Sequence, residues 1–206
     1  MIIEQHKPFA TPIFTVQYGN LKTHEELTNQ ALSLESKADG NQISNVGGFQ
    51  SLSVDQKDPL AFRFWSEILN PVQQFISLHT PVFNYDTNLH SLWYNVNRKN
   101  HFNFLHNHPD RCFVSGIYYL KVPKDIHNAG DITFEGPDEL QKWIKFYQGP
   151  FAQFNEFNSS SYNIKPNEGL LVLFPSHLRH RVHPNLTDEP RISIAFNVEV
   201  KYMPND

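Results

Sequence analysis

The second half of the chain consists of short segments of β-forming residues separated by turn residues, and this pattern constrains the fold more than any other feature. The segments lie at residues 88–97, 102–108, 112–121, 131–135, 162–164, 169–174, 178–183 and 191–201. Many short strands in succession are typical of a barrel or jelly roll, in which antiparallel sheets close around one interior. The sequence therefore predicts a mainly β fold.

The first part of the chain has a different pattern, with one strand-like segment at residues 10–18 followed by two helical patterns. Thr23 and Glu26 have the spacing of a capping box and predict the start of the first helix, and Gly40 suits its end. Asp58 and Pro59 predict the start of the second helix. Its apolar stripe is formed by Phe62, Trp65, Ile68, Leu69, Val72, Phe75 and Ile76, with Pro71 predicted to kink or split the helix.

These patterns predict a single domain over residues 1–206. Residues 1–87 would supply the N-terminal strand and the supporting helices, which flank a β core at residues 88–203. Residues 137–161 interrupt the core with a short helical pattern and an aromatic, Asn/Ser-rich segment. A long insertion of this kind is more often a lid or binding element than a simple connection, so we expect it to cover a site.

Charge and cysteine content exclude several classes of protein. The 17 Lys and Arg residues against 21 Asp and Glu give a formal net charge of -4, which argues against a dedicated nucleic-acid binder. The lone Cys112 allows no intrachain disulfide and no cysteine-based zinc site. The N-terminus lacks a signal pattern and no window is apolar enough to span a membrane, so we expect a soluble cytoplasmic protein.

Six of the eleven histidines fall in two short windows, at residues 101–108 and 177–183. His106, His108 and Asp110 are two residues apart, and side chains two apart in a strand point to the same face, although Pro109 can end the strand first. His180 supplies a further nitrogen ligand from the second window. A facial set of two or three such ligands, with other positions open, suits non-haem Fe(II) that must hold a 2-oxo acid and O₂ together.

The last strand pattern, at residues 191–197, alternates so that Arg191 and Ser193 share one face. An inward Arg beside a Ser is costly to bury unless an anion binds there, and a dicarboxylate co-substrate is such an anion. An inward Asn95 or Asn97 either binds a co-substrate carboxylate or satisfies backbone groups, and the sequence leaves both open. Together with the metal ligands, this face predicts an oxygenase.

Several motifs occur in an order that resembles a known family. They are His106-x-His108-Pro109, the run from Cys112 to Leu120, Gly130-Asp131-Ile132-Thr133-Phe134, His180-Arg181-Val182-His183-Pro184 and Arg191-Ile192-Ser193. In this order they resemble the Fe(II)/2-oxoglutarate-dependent oxygenases of the prolyl 4-hydroxylase-like kind. With Asn95-Val96-Asn97-Arg98 and Phe174-Pro175-Ser176, the chain is most similar to a group found in marine bacteria and phages, over about residues 90–200.

The resemblance implies a double-stranded β-helix, that is, a cupin-like jelly roll, which holds iron near one mouth. It implies that His106 and His180 are metal ligands and that Arg191, with Ser193 and Tyr119, binds the distal carboxylate of 2-oxoglutarate. The implied activity is hydroxylation of an unidentified small molecule, peptide or protein, which uses Fe(II), 2-oxoglutarate and O₂ and releases succinate and CO₂. Such a protein would act in the cytoplasm, or in the host cytoplasm if it comes from a phage.

The chain departs from the family at the second ligand, where the common pattern has Asp or Glu and this sequence has His108. Either the centre has three histidines or the ligand shifts to Asp110, and spacing favours His108. Two other functions remain open. One is a non-catalytic metal-binding jelly roll of a virion or assembly protein, and the other is a three-histidine enzyme of the cupin type that does not use 2-oxoglutarate, which would leave Arg191 and Ser193 unexplained.

Overall fold

The computed structural model describes residues 10–79, 84–108, 111–137 and 159–203. Its elements are β1 (Phe14–Gln17), α1 (His24–Glu35), β2 (Asn45–Val46), β3 (Phe49–Gln50), α2 (Pro59–Ser77), β4 (Tyr85–Asn97), β5 (Phe102–His106), β6 (Val114–Lys121), β7 (Ile132–Glu135), β8 (Ser161–Ile164), β9 (Leu170–Pro175), β10 (His180–Val182) and β11 (Arg191–Tyr202). All eight predicted core strands are present, with ends shifted by a few residues. The two-residue strands β2 and β3 were not predicted, because so short a segment carries no alternation.

The strands form two antiparallel sheets. The major sheet has six strands in the order β1-β9-β6-β11-β4-β3, and the minor sheet has five in the order β2-β5-β10-β7-β8. From β4 to β7 consecutive strands alternate between the sheets, and from β8 to β11 they do so again. This is the predicted mainly β architecture with helices alongside, and it places the ends of β5 and β10 opposite the inner face of β4 and β11.

The outer face of the major sheet packs against the two helices. On α2 the buried apolar residues include Phe64, Ile68 and Val72, and no side-chain atom of Phe64 is exposed. The prediction for Phe62 was wrong, because this side chain is 63% exposed and Phe64 takes the inward position. The helix runs from Pro59 to Ser77 and is not split at Pro71. As predicted, Asp58 caps its start, by accepting hydrogen bonds from the Leu60 and Ala61 amides.

The first helix begins where the sequence predicted, but not by the predicted cap. Thr23 makes no side-chain cap hydrogen bond, and the Glu26 carboxylate instead pairs with Arg63 of α2. The helix ends at Glu35, before Gly40. Glu35 receives two hydrogen bonds from Arg98, at 2.8 and 2.9 Å, so that α1 is tied to the end of β4. Within the described ranges, neither helix has the length and apolar character needed to cross a bilayer.

Alternation along the strands separates two interiors. On β6, Tyr118 packs outward in the core beneath the helices, where its ring lies 5.8 Å from that of Phe64. Tyr119, the next residue, is fully buried between the sheets with Phe134 and Phe174. Because neighbouring side chains in a strand point to opposite faces, one tyrosine anchors a helix and the other faces the interior.

Candidate active site

The three histidines predicted as metal ligands meet at one end of the minor sheet. His106 on β5 and His180 on β10 are register partners, and their ring centroids are 4.3 Å apart. His108 follows the end of β5, with its ring 5.1 Å from that of His106 and 5.3 Å from that of His180. One nitrogen of each ring lies within 4.8 Å of the other two. Asp110, the alternative to His108, lies outside the described residues.

Two of these rings are oriented by the same local hydrogen bond. The Nδ1 of His106 lies 2.7 Å from the Phe104 carbonyl oxygen, and the Nδ1 of His180 lies 2.9 Å from the Leu178 carbonyl oxygen. A carbonyl only accepts, so Nδ1 carries the proton in both rings and Nε2 keeps a lone pair for a metal. The His108 side chain makes no hydrogen bond to any described residue, and its ring lies 5.7 Å from that of Trp93.

Burial keeps the three rings in the form that binds metal. Desolvation, together with the smaller effect of the neighbouring histidines, lowers the pKa of His180 to about 3 and the pKa of His108 to about 4. Desolvation also lowers the pKa of His106. A ring must be neutral to ligate a cation, so the site is prepared for a divalent metal near neutral pH.

Arg191, at the start of β11, is the largest fully buried polar side chain, with 1% exposure. Its Nη1 donates to the carbonyl oxygens of Ala129 at 2.6 Å, Gly130 at 2.7 Å and His183 at 3.4 Å. Its Nη2 is buried and has no hydrogen-bond partner in the part of the chain that the structure describes. Carbonyls hold one side of the guanidinium, and the other side remains free for an anion.

Ser193 and Tyr119 extend this polar region across the major sheet. They are register partners on β11 and β6, and the buried Tyr119 hydroxyl has no hydrogen-bond partner within the described ranges. Burial raises the pKa of Tyr119 to about 12, although the charge of Arg191 acts in the opposite direction. The hydroxyl therefore stays protonated and is a second unsatisfied donor in the same region as Arg191.

A cavity of about 490 Å³ between the sheets connects the histidine cluster with the polar region around Arg191. Its lining includes His106, His108 and His180 from one side and Arg191 and Ser193 from the other. This volume lies within the range of ordinary ligand sites. Three neutral histidine nitrogens fit Fe(II), and an unpaired buried guanidinium nitrogen fits a carboxylate, so the residues present suit a metal and an anionic co-substrate.

The cavity also has a polar side that the sequence indicated only in part. Asn95 and Asn97 line it, as the alternation of β4 allowed, and so does Gln50 of β3, which was not predicted. Gln50 pairs in register with Asn95, and Asn95 pairs with Ser193. No signal in the sequence marked Gln50, because its strand is only two residues long.

Several solved structures are similar to this chain over most of its length. A prolyl-4-hydroxylase from Pseudomonas putida is 14% identical, with 91% of each chain covered and a TM-score of 0.62. HygX from Streptomyces hygroscopicus, solved with nickel and 2-oxoglutarate, is 13% identical, with 92% of this chain and 83% of that chain covered and a TM-score of 0.62. A Trichoplax adhaerens prolyl hydroxylase, in complex with a peptide fragment of the hypoxia inducible factor oxygen degradation domain, is 15% identical, with 91% and 83% covered and a TM-score of 0.61.

These structural likenesses establish a shared fold with 2-oxoglutarate oxygenases, which is the double-stranded β-helix that the motifs predicted. A search of curated protein sequences finds no match. The model of one family, the 2OG-Fe(II) oxygenases, matches residues 91–197, which is more than half of the 206 residues and includes all three site histidines, Arg191 and Ser193. The chain therefore belongs to the 2OG-Fe(II) oxygenase family.

Proposed function

We propose that this oxygenase hydroxylates its substrate at a metal held by His106, His108 and His180, with 2-oxoglutarate bound by Arg191, Ser193 and Tyr119. When bound, the iron and 2-oxoglutarate supply the oxidative chemistry: O₂ is consumed, one oxygen atom enters a substrate C–H bond and the other enters succinate, and CO₂ is released. One observation carries the proposal. Arg191, whose Nη2 has no hydrogen-bond partner among the described residues, lines the same cavity as the three histidines.

The roles of the individual residues follow from their contacts. His106 and His180 present Nε2 because a backbone carbonyl fixes the proton on Nδ1. Arg191 presents Nη2 because carbonyls already occupy Nη1. The Tyr119 hydroxyl stays protonated, so it can donate to a carboxylate. Walls formed by Ile132, Phe174 and Val182 exclude water from the space between these groups.

The test is an anaerobic titration of the metal-free protein with Fe(II) and then with 2-oxoglutarate, while the visible spectrum is recorded. A weak charge-transfer band of the chelated 2-oxo acid is expected in the wild type. Arg191→Met removes the anion partner but keeps the length of the side chain, so the affinity for 2-oxoglutarate should fall by at least about 30-fold. Arg181→Met is the matched control, because Arg181 lies on β10 with its side chain exposed.

Three results would contradict the proposal. Retention of the band in Arg191→Met would show that another residue binds the co-substrate. Iron binding without a band in the wild type would indicate a three-histidine enzyme that does not use 2-oxoglutarate. Failure to bind either would leave a non-catalytic jelly roll, in which the histidines serve packing alone.

A further inference from the structure

Three carboxamide side chains line the cavity without a side-chain hydrogen bond to any residue that the structure describes. Gln50, Asn95 and Asn97 are 7%, 8% and 4% exposed, and each lines the cavity. None of the three side chains makes a hydrogen bond to a described residue. Buried polar side chains are nearly always hydrogen-bonded, so three open carboxamides on adjacent strands indicate a place where a ligand completes the bonding.

The same cavity shows what a satisfied polar group looks like. The Asn197 Nδ2 donates to Ser91 Oγ at 3.0 Å, and the Asn197 Oδ1 accepts from the Ser115 hydroxyl at 2.7 Å. The Ser115 oxygen is also 2.9 Å from Ser176 Oγ. Here the side-chain amide and hydroxyl groups of the protein form hydrogen bonds with one another. Asn95 lies four residues further along β4 than Ser91, with Gln50 beside it on β3. Among the described residues the side-chain amides of Gln50 and Asn95 have no such partner, so they do not close a network of this kind.

The chemistry of a carboxamide indicates what binds there. A carboxylate only accepts hydrogen bonds, and the donors of Arg191, Tyr119 and Ser193 already match it. A carboxamide both donates through its NH₂ and accepts through its oxygen, so an anion would leave the oxygens of Gln50 and Asn95 without a partner. A ligand that carries both donors and acceptors satisfies both atoms.

The charge of the lining argues in the same direction. Among the described residues that line the cavity, Arg191 is the only one with a permanent charge, and none is a carboxylate or a lysine. The lining also includes two exposed apolar side chains, Ile43 at 75% and Phe104 at 62%. Arg191 pairs in register with Asn97, and in the proposed function its charge is matched by the co-substrate. A further charged group that entered past these apolar side chains would lose its hydration without gaining another opposite charge.

We infer that Gln50, Asn95 and Asn97 bind an uncharged part of the substrate that carries both hydrogen-bond donors and acceptors, such as a peptide amide or a sugar hydroxyl. This inference rests on the proposed function, because it assigns the substrate side of the same cavity. The Arg191 side takes the anionic co-substrate, and the carboxamide side selects a neutral substrate next to it.

The experiment uses the full chain loaded with Zn(II), which keeps the sample diamagnetic, and saturated with 2-oxoglutarate. Calorimetry first measures 2-oxoglutarate binding. Proton–nitrogen correlation spectra then follow the side-chain NH₂ signals of Gln50, Asn95 and Asn97 during titration with N-acetylglycinamide, a neutral amide. A probe of this size should bind with a Kd of roughly 10 mM. Methyl α-D-glucopyranoside, titrated separately, tests the hydroxyl source, and the probe that shifts the signals at lower concentration identifies the source.

Two probes of similar size test the requirement for neutrality. N-acetylglycine is an anion and glycylglycinamide is a cation at neutral pH, and both should bind at least about fivefold more weakly than N-acetylglycinamide. Asn95→Leu and Gln50→Leu keep the approximate size of the side chain but remove its hydrogen bonds, so each should weaken the best neutral probe by about tenfold. Asn163→Leu, at an exposed position on β8, is the matched control and should change nothing.

The outcomes separate the two proposals. If the wild-type zinc protein does not bind 2-oxoglutarate, the proposed function fails. Two results would make only the inference about the substrate fail, provided that the protein binds 2-oxoglutarate. One is that a charged probe binds as tightly as the neutral probe, and the other is that no probe binds. The inference is also overturned if Asn95→Leu and Gln50→Leu lose 2-oxoglutarate as strongly as they lose the probe, because the carboxamides then serve the co-substrate.

Discussion

The minor and major sheets prepare the two sides of the cavity in different ways. On the minor sheet, His106 and His180 each bond the carbonyl oxygen of the residue two positions earlier, so the orientation of both rings is set within a three-residue segment. On the major sheet, Arg191 is seated by carbonyls of residues 129, 130 and 183, which are far away or across a turn in the sequence. The metal side is built from local contacts, and the anion side depends on how distant loops come together.

This difference makes the two sides separable by mutation. Substitution of a metal ligand on the minor sheet should abolish metal binding and leave the hydrogen bonds between Arg191 and the backbone carbonyls intact. A change in the loop at residues 129–130 should disturb 2-oxoglutarate binding and leave metal binding intact. The predictions below test this separation.

The largest effect is expected for His180→Ala. His180 is the most buried of the three histidines, and its ring is oriented by a carbonyl, so its loss should weaken Fe(II) binding by more than about 100-fold and reduce turnover below detection. Competition with a colorimetric chelator measures the affinity. His177→Ala, an exposed histidine in the preceding turn, is the control and should keep Fe(II) affinity within about twofold. Tight iron binding by His180→Ala would remove it from the ligand set.

A smaller loss is expected for His108→Ala, because no hydrogen bond to a described residue orients this ring. Its replacement should weaken Fe(II) binding by about 30-fold, which is less than the effect of losing His180. Asp110→Ala should change the affinity by no more than about twofold. The reverse order, with Asp110→Ala the weaker binder, would show that the ligand has shifted to Asp110 and that the centre carries a carboxylate.

Gly130→Ala should affect only the anion side. Gly130 has a φ of +86°, and a Cβ there would clash with Arg191 Nη1 and with the His183 carbonyl oxygen. The guanidinium must therefore move, so the KM for 2-oxoglutarate should rise by about tenfold while Fe(II) affinity stays within about twofold. Gly19→Ala is the control, since nothing lies within 4 Å of its Cβ position. An equal loss of metal and co-substrate would show that the two sides are coupled.

The smallest effect is on the stability of the metal-free protein in acid. The pKa of His180 is about 3 and that of His108 about 4 in the folded protein, against 6.5 for an unperturbed histidine. Between pH 6.5 and 4 the unfolded chain binds protons that the folded chain does not, so the free energy of unfolding falls as the pH falls. The Tm at pH 5 should be roughly 3 °C or more below that at pH 7.

The control for the acid effect is His180→Gln, which removes one of the shifted groups. The decrease in Tm between pH 7 and pH 5 should be smaller in this variant than in the wild type, as measured by differential scanning calorimetry. An unchanged decrease would mean that other groups cause the acid sensitivity and that His180 is not buried in its neutral form.

Local patterns in the sequence determined much of this protein. Period-two alternation located the eight core strands and placed Arg191 and Ser193 on one face, because side chains two residues apart in a strand share a face whatever the rest of the chain does. The same rule predicted that His106 and His108 lie together, and their rings are 5.1 Å apart although His108 follows the end of β5. The motif order then predicted the family, and the family model confirms it.

Only the tertiary structure decided which faces turn inward and what lies opposite them. It placed Phe64 rather than Phe62 against the sheet, left Thr23 without its predicted cap hydrogen bond, and brought Gln50 beside Asn95 from a strand too short to show a pattern. It also seated Arg191 on carbonyls from distant turns. These features depend on contacts between residues far apart in the chain, and such contacts leave no periodic trace in the sequence.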